Sequence, residues 1–345
     1  MTGIVKSLVE LTNTFVAMGV HVEVICIYRF PHFFNLPDLV KISEPDFHYN
    51  PKNKISSYFK IIQFLRKSFK NSENNTILTY HEYANYLVLL SAFGLNKRVF
   101  ISDRASPYRK ISPPAGWFRK ITYHWAEGII AQTEEARAIQ HREFPKVPIK
   151  VIPNILFDVE KLVQRSLGEN KIKRIVWAGR YEALKGVEDI INAFDAIKDD
   201  NWELVLIGKQ EGEYYKTIES LLRRISNPRI IQINSTPNIT EYLLKSEIFA
   251  FPSYSEGFPN ALLEAMACGC ACVAYDCPTG PSEIIENGVD GILIPVGDIN
   301  EFSIKLKGLI ESDNLRGDLR SAAIQNIRRF SPNNLGLEYH NFLFS

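Results

Sequence analysis

The sequence predicts an α/β protein made of two doubly wound, Rossmann-like parallel sheets. Three observations carry this expectation. Short apolar runs alternate with amphipathic helical stretches along the chain, as strands and crossover helices do. A polar, irregular stretch at 155–171 interrupts the alternation, which then starts again. One loop–helix, Pro252 to Ala267, which follows the strand Glu247–Phe251, has the composition of an anion seat. At 345 residues the chain is long enough for two domains, placed here at 1–154 and 155–345.

Composition narrows the class. Hydrophobic content of 46% and charged content of 23% are those of a soluble globular protein. A formal net charge of +1 gives no field that would draw in nucleic acid. Five cysteines is an odd count, and Cys268, Cys270, Cys272 and Cys277 lack paired C-x-x-C spacing, so small buried hydrophobes are expected rather than a zinc site. Unpaired thiols, no signal peptide and no apolar run near the roughly eighteen residues of a membrane span point to the cytoplasm.

The first half reads in order as follows. Ile4 to Met18 is an amphipathic helix closed by Gly19, and Val20 to Tyr28 alternates like a strand. No strand precedes that helix, so the first sheet is expected to lack its opening strand, whether the true start lies upstream or this copy is trimmed. Residues 29–54 read as loop with a short strand near Leu39–Ile42. Helices are expected over Ile55–Phe69, Tyr83–Phe93, Trp117–Trp125 and Glu134–Arg142, and strands over Thr76–Tyr80, Arg98–Ser102, Gly128–Thr133 and Lys150–Asn154. His81 ends one strand, and Asp103-Arg104 closes another.

After the linker the strands are Arg174–Gly179, Trp202–Gly208, Arg229–Ile233, Glu247–Phe251, Ala271–Tyr275 and Gly291–Ile294. Helices over Gly186–Ala196, Tyr214–Ile225 and Ile239–Leu244 separate them, and the helices from Asn300 onward can pack back on the first domain.

Ligands of open α/β sheets sit beyond the carboxyl ends of the strands. There, Gly179-Arg180 ends one strand and Lys185-Gly186 opens the next helix, so a guanidinium fork and an ammonium can reach one phosphate cluster. Glu256 sits in a loop, and Glu264 follows eight residues later, one turn into a helix that starts at Pro259-Asn260. Carboxylates beside a phosphate seat suit hydroxyl groups on either side of it, a sugar and a ribose. The same pair also fits a helix cap and a solvated helix face, and spacing does not choose between them.

Taken together, Gly179-Arg180-x4-Lys185-Gly186, Pro252-Ser-x-x-Glu-Gly-Phe-Pro-Asn-x-x-x-Glu-Ala-Met-Ala-x-Gly and Gly280-Pro-x-Glu-Ile-Ile resemble the retaining GT-B glycosyltransferases of family four. The resemblance implies two Rossmann-like domains facing a cleft and a UDP-sugar donor, with no metal or other cofactor. It implies that Glu256 holds donor-sugar hydroxyls, Glu264 the ribose, and Arg180 and Lys185 the diphosphate. Backbone groups of Gly257, Phe258, Pro259 and Asn260 complete the seat, with Gly208 at a neighbouring strand end. Gly3 alone stands in for the family's phosphate-touching glycine loop. Within the family, Asp276 to Ile285 is most similar to bacterial enzymes of O-antigen, capsule and lipid-linked oligosaccharide synthesis.

On the acceptor side, Asp103-Arg104-x-x-Pro107 resembles an acidic-Arg-x-x-Pro element of those transferases. His81, by its place at a strand end, reads as acceptor contact or proton partner, although a lone histidine is more often structural. The implied acceptor is a saccharide, carried on polyprenyl diphosphate. Lys60, Arg66, Lys67, Lys70, Arg109, Lys110, Arg119 and Lys120, beside Trp117 and Phe118, suggest peripheral contact with an anionic membrane, though solvated helix faces explain them equally. The rival functions are a GT-B-fold UDP-sugar epimerase, a sugar phosphorylase and a non-catalytic nucleotide-sugar binder.

Overall fold

The computed structural model describes residues 3–29, 36–156 and 158–345. They form two compact units, one of residues 1–157 and 330–345, the other of 158–329.

In the first unit, helix α1 (Gly3–Ala17) leads to strand β1 (Glu23–Ile25), which pairs in parallel with β2 (Lys41–Ser43). Helix α2 (Lys54–Asn71) starts where the Asn53 side chain accepts from the Ser56 N–H. β3 (Thr76–Tyr80), α3 (Glu82–Ala92), β4 (Arg98–Ser102), α4 (Ala115–Thr122), β5 (Gly128–Ala131), α5 (Glu134–Glu143) and β6 (Ile149–Val151) follow. Strands β3 to β6 form a parallel sheet in sequence order, so among the described residues this unit has a four-stranded sheet and a separate two-stranded one. The strand expected over Val20–Tyr28 shrinks to three residues because only Val24 of β1 is buried.

The stretch expected as linker is in part a helix, α6 (Val159–Gly168). Val159, Val163 and Ser166 bury one narrow stripe of it, and the polar residues between them hid the period. The second unit continues with β7 (Ile172–Ala178), α7 (Val187–Asp195), β8 (Glu203–Ile207), α8 (Glu213–Ile225), β9 (Ile230–Ile233), α9 (Ile239–Lys245), β10 (Ser246–Phe251), α10 (Asn260–Ala267), β11 (Ala271–Tyr275), α11 (Pro281–Ile284), β12 (Ile292–Ile294), α12 (Ile299–Glu311) and α13 (Asp313–Asn326). Of the final helices only α14 (Pro332–Phe344) lies in the first unit, where it packs on α1.

The second sheet is parallel, in the order β12-β11-β10-β7-β8-β9. That is the doubly wound order, and its direction reverses between β7 and β10. Trp177, Phe194, Trp202 and Phe302 fill the core on one side of it. Lys171 closes the base: its ammonium donates to the Leu244, Ser246 and Cys268 carbonyls at 2.9 Å each, holding the ends of α9 and α10 together. Cys268, Cys270, Cys272 and Cys277 are buried, and burial pushes each thiol above its ordinary pKa, Cys277 to about 12.

Candidate active site

The loops after β7 and β10 leave the sheet side by side at the switch point, the crevice where doubly wound sheets bind ligands. The first carries Arg180 and Lys185, the second Glu256. One hydrogen bond and one close backbone approach hold the two loops together, and a second hydrogen bond fixes the first loop to β7. The Tyr254 N–H donates to the Leu184 carbonyl at 2.8 Å. Trp177 Nε1 donates to the Lys185 carbonyl at 3.2 Å. Gly186 adopts φ +61°, and a Cβ there would stand 1.8 Å from the Pro252 carbonyl oxygen.

Within this frame Lys185 Nζ meets Glu256 Oε1 at 2.6 Å, both side chains mostly shielded from water. The Glu256 backbone is held as well, because Thr279 Oγ1 donates to its carbonyl at 2.5 Å. Thr279 is buried with φ +70°, a left-handed conformation that a threonine adopts only under constraint. Arg180 is placed otherwise. Its side chain is 74% exposed and pairs with Glu182 at 2.7 Å, so the two cations are not gathered on one point in this state.

Helix α10 starts at Asn260 with Pro259 as its cap residue, and no side chain caps it. Glu256 is therefore not a helix cap. Glu264 is only 9% exposed, so it is not a solvated-face residue either. Phe258 is buried beside them. The cap and solvated-face explanations of the glutamate pair therefore do not hold; Glu256 precedes α10 and Glu264 lies within it, and the first turn of that helix carries partial positive charge. Gly257 lies between Glu256 and that turn. Gly208 has a steric role, since a Cβ there would be 2.3 Å from the Gly179 carbonyl oxygen. Gly3 is the first residue of α1 rather than part of a loop, and residues 1 and 2 lie outside the described residues.

Sequence reasoning missed the support beneath this site. Asp189 of α7 is buried and accepts from the Tyr254 hydroxyl at 2.7 Å and the Tyr275 hydroxyl at 2.8 Å. Burial, and then the bond to Asp189, push the Tyr254 phenol up to about 12. Nothing in the spacing marks Asp189, which reads as an ordinary first-turn acid of α7.

In the first unit, His81 ends β3 with φ +113°. Its Nδ1 accepts from the Tyr83 N–H at 3.2 Å, so a neutral ring carries its proton on Nε2 and offers a donor, not a base. The expected acceptor pair reads differently in the structure. Asp103 accepts from the Tyr123 hydroxyl at 2.6 Å and Asn85 Nδ2 at 2.9 Å, and pairs with Arg119 at 3.3 Å. Arg104 is buried over the Tyr80 ring at 3.9 Å and donates to Asn154 Oδ1 and the Tyr339 hydroxyl at 2.6 and 2.8 Å. Both are tied into hydrogen-bond networks within the first unit, Asp103 through an ion pair and Arg104 through neutral partners.

Comparison with known proteins identifies this architecture. Solved structures that resemble it over nearly the whole chain include sucrose-phosphate synthase from Thermosynechococcus elongatus (TM-score 0.82, 17% identity, 99% of this chain and 92% of that one). A lipopolysaccharide outer core galactosyltransferase, WaaB, superposes with TM-score 0.77 at 18% identity, covering 100% and 96% of the two chains. The fold is that of the GT-B glycosyltransferases.

The family follows from the sequence matches. Residues 1–156 match the Glycosyltransferase Family 4 model, and residues 158–328 match glycosyl transferases group 1. The chain belongs to these glycosyltransferases and is a transferase. Its curated relatives include the amylovoran biosynthesis glycosyltransferase AmsD of Erwinia amylovora, 25% identical over 85% of this chain and 86% of that protein. Another is an N-acetylgalactosamine-N,N'-diacetylbacillosaminyl-diphospho-undecaprenol 4-alpha-N-acetylgalactosaminyltransferase of Campylobacter jejuni, 27% identical over 81% and 80%. Such relatives act in bacterial polysaccharide biosynthesis, several on lipid-linked acceptors.

Proposed function

We propose that this glycosyltransferase moves a hexose or N-acetylhexosamine from a UDP-sugar to a saccharide on polyprenyl diphosphate, retaining the anomeric configuration. The observation that carries the donor half is the Lys185–Glu256 pair at the switch point, in front of α10 and with Glu264 buried in that helix. Lys185, Arg180 and the first turn of α10 stabilise the diphosphate as it leaves, which is cationic work that needs no metal. Glu256 and Glu264 accept hydrogen bonds from sugar and ribose hydroxyls. With Glu256 so occupied, retention is assigned to a front-face route in which the departing phosphate oxygen takes the acceptor proton. HepE from Anabaena, of similar fold (TM-score 0.78, 18% identity), was solved with UDP and with UDP-glucose, and Campylobacter relatives are named for undecaprenyl-diphosphate acceptors, which supports the substrate classes.

The test is turnover of a panel of UDP-sugars with a polyprenyl-diphosphate saccharide. One or more should react, with activity kept in EDTA and the product anomer matching the donor by NMR. An inverted product overturns retention, and loss of turnover in EDTA overturns the metal-free route. Binding of UDP without transfer to any acceptor would favour a nucleotide-sugar binder.

His81 Nε2–H is assigned to the acceptor. His81→Ala should lower kcat/KM for the acceptor about tenfold or more, with UDP affinity unchanged; weakened UDP binding would remove that role.

With a lipid-linked acceptor, the protein is assigned to the cytoplasmic face of a membrane, as a peripheral protein. No helix among the described residues is long and apolar enough to cross one. The contact surface is assigned to α4, where Trp117 (67% exposed) and Ile121 lie one turn apart, followed by exposed Trp125 packed at a tilt against Phe93. Exposed Lys60, Lys67, Lys70, Arg109, Lys110 and Lys120 supply the charge. Arg66 is withdrawn to the Ser91 and Phe93 carbonyls, Arg119 to Asp103 and Glu143, and Phe118 stacks on Tyr86. Co-sedimentation with vesicles of one-third anionic lipid should fall about tenfold or more in Trp117→Ser/Ile121→Ser. Binding indifferent to that change and to salt would overturn the assignment.

A further inference from the structure

Lys185 and Glu256 are assigned to different parts of the donor, the diphosphate and the sugar, yet they hold each other at 2.6 Å. Lys185 in this state already has its anion. A diphosphate bound by Lys185 must therefore compete with the Glu256 carboxylate, since two anions on one shielded ammonium repel.

The backbones cannot yield, because Thr279, Trp177 and Gly186 fix both loops. The side chains can, because both are long and unbranched. We infer that Glu256 is the internal counter-anion of Lys185, and that the incoming diphosphate displaces it and so frees the carboxylate to take the sugar hydroxyls. This rests on the donor-site reading above and adds a consequence for specificity. A nucleotide without a sugar breaks the ion pair and leaves Glu256 without a partner. A nucleotide-sugar breaks the same pair and supplies hydroxyls in return. The exchange thus weakens the spent nucleotide relative to the loaded donor, which favours product release. The Arg180–Glu182 pair differs, since it is exposed and worth little.

The experiment is calorimetric titration of the whole chain with UDP and with uridine. Glu256→Gln keeps the shape and removes the charge. It should bind UDP about five- to thirtyfold more tightly than the parent and uridine equally, as releasing a shielded competing charge implies. Glu182→Gln should change UDP affinity less than about twofold. UDP binding by Glu256→Gln that is unchanged or weaker, with an unaltered thermal transition, overturns the exchange. Equal tightening in Glu182→Gln also overturns it, by showing a general charge effect. Lys185→Met separates the two levels and should weaken UDP at least about tenfold. If it does so while Glu256→Gln does not tighten UDP, the exchange alone fails. If it leaves UDP affinity untouched, the donor site itself is misplaced and the exchange falls with it.

Discussion

Glu256→Ala is expected to abolish measurable transfer, a loss of at least about 10²–10³-fold in kcat, as when a preorganised group aimed at the reacting centre is removed. UDP binding should survive, because the carboxylate is assigned to the sugar and its loss unburdens Lys185. The two readouts must therefore part company. Glu264→Ala should behave differently: that acid is assigned to the ribose, so its loss should weaken UDP itself. Transfer assays beside UDP titration check both, and parallel loss of transfer and UDP binding in Glu256→Ala would contradict its role.

Gly186→Ala carries the second large effect. The residue has φ +61°, which costs a non-glycine roughly 1–2 kcal/mol. The new methyl would also meet the Pro252 carbonyl oxygen at 1.8 Å, and that oxygen belongs to backbone. One loop must move, and either movement separates Lys185 from Glu256. Destabilisation of about 3 kcal/mol or more is expected for such a strained, colliding site, with UDP affinity down at least about tenfold. A thermal melt and a UDP titration check this, and an unchanged melting curve would show that the loops are less tightly joined than the distances imply.

How far these features were legible depends on whether the signal was local. The β10–loop–α10 segment was readable because its strand, turn and helix formers follow one another without interruption from Ser246 to Ala267. Ala271–Tyr275 came out with its observed bounds because an uninterrupted apolar run leaves no other choice. Helix α6 was lost because only Val159, Val163 and Ser166 touch the core, and a serine does not register as apolar. Glu256 and Glu264 stood out by spacing, but the burial of Glu264 and the pairing of Glu256 with Lys185 are tertiary facts. Asp103 and Arg104 stood out in the sequence because a charged pair ends a strand, whereas Asn85, Tyr123, Asn154 and Tyr339, which hydrogen-bond to them, are scattered along the chain. The Asp189–Tyr254–Tyr275 support was invisible for the same reason, as its members span 86 positions.

The four buried cysteines of the second unit have a practical consequence. Raised pKa and burial together keep their sulfurs nearly inert toward alkylating reagents while the unit is closed. Any modification then has to wait for a fluctuation that bares the sheet, and mass spectrometry of iodoacetamide uptake becomes a stopwatch for those openings. Saturating the crevice with nucleotide should slow that clock, giving a label-free protein its own reporter of occupancy.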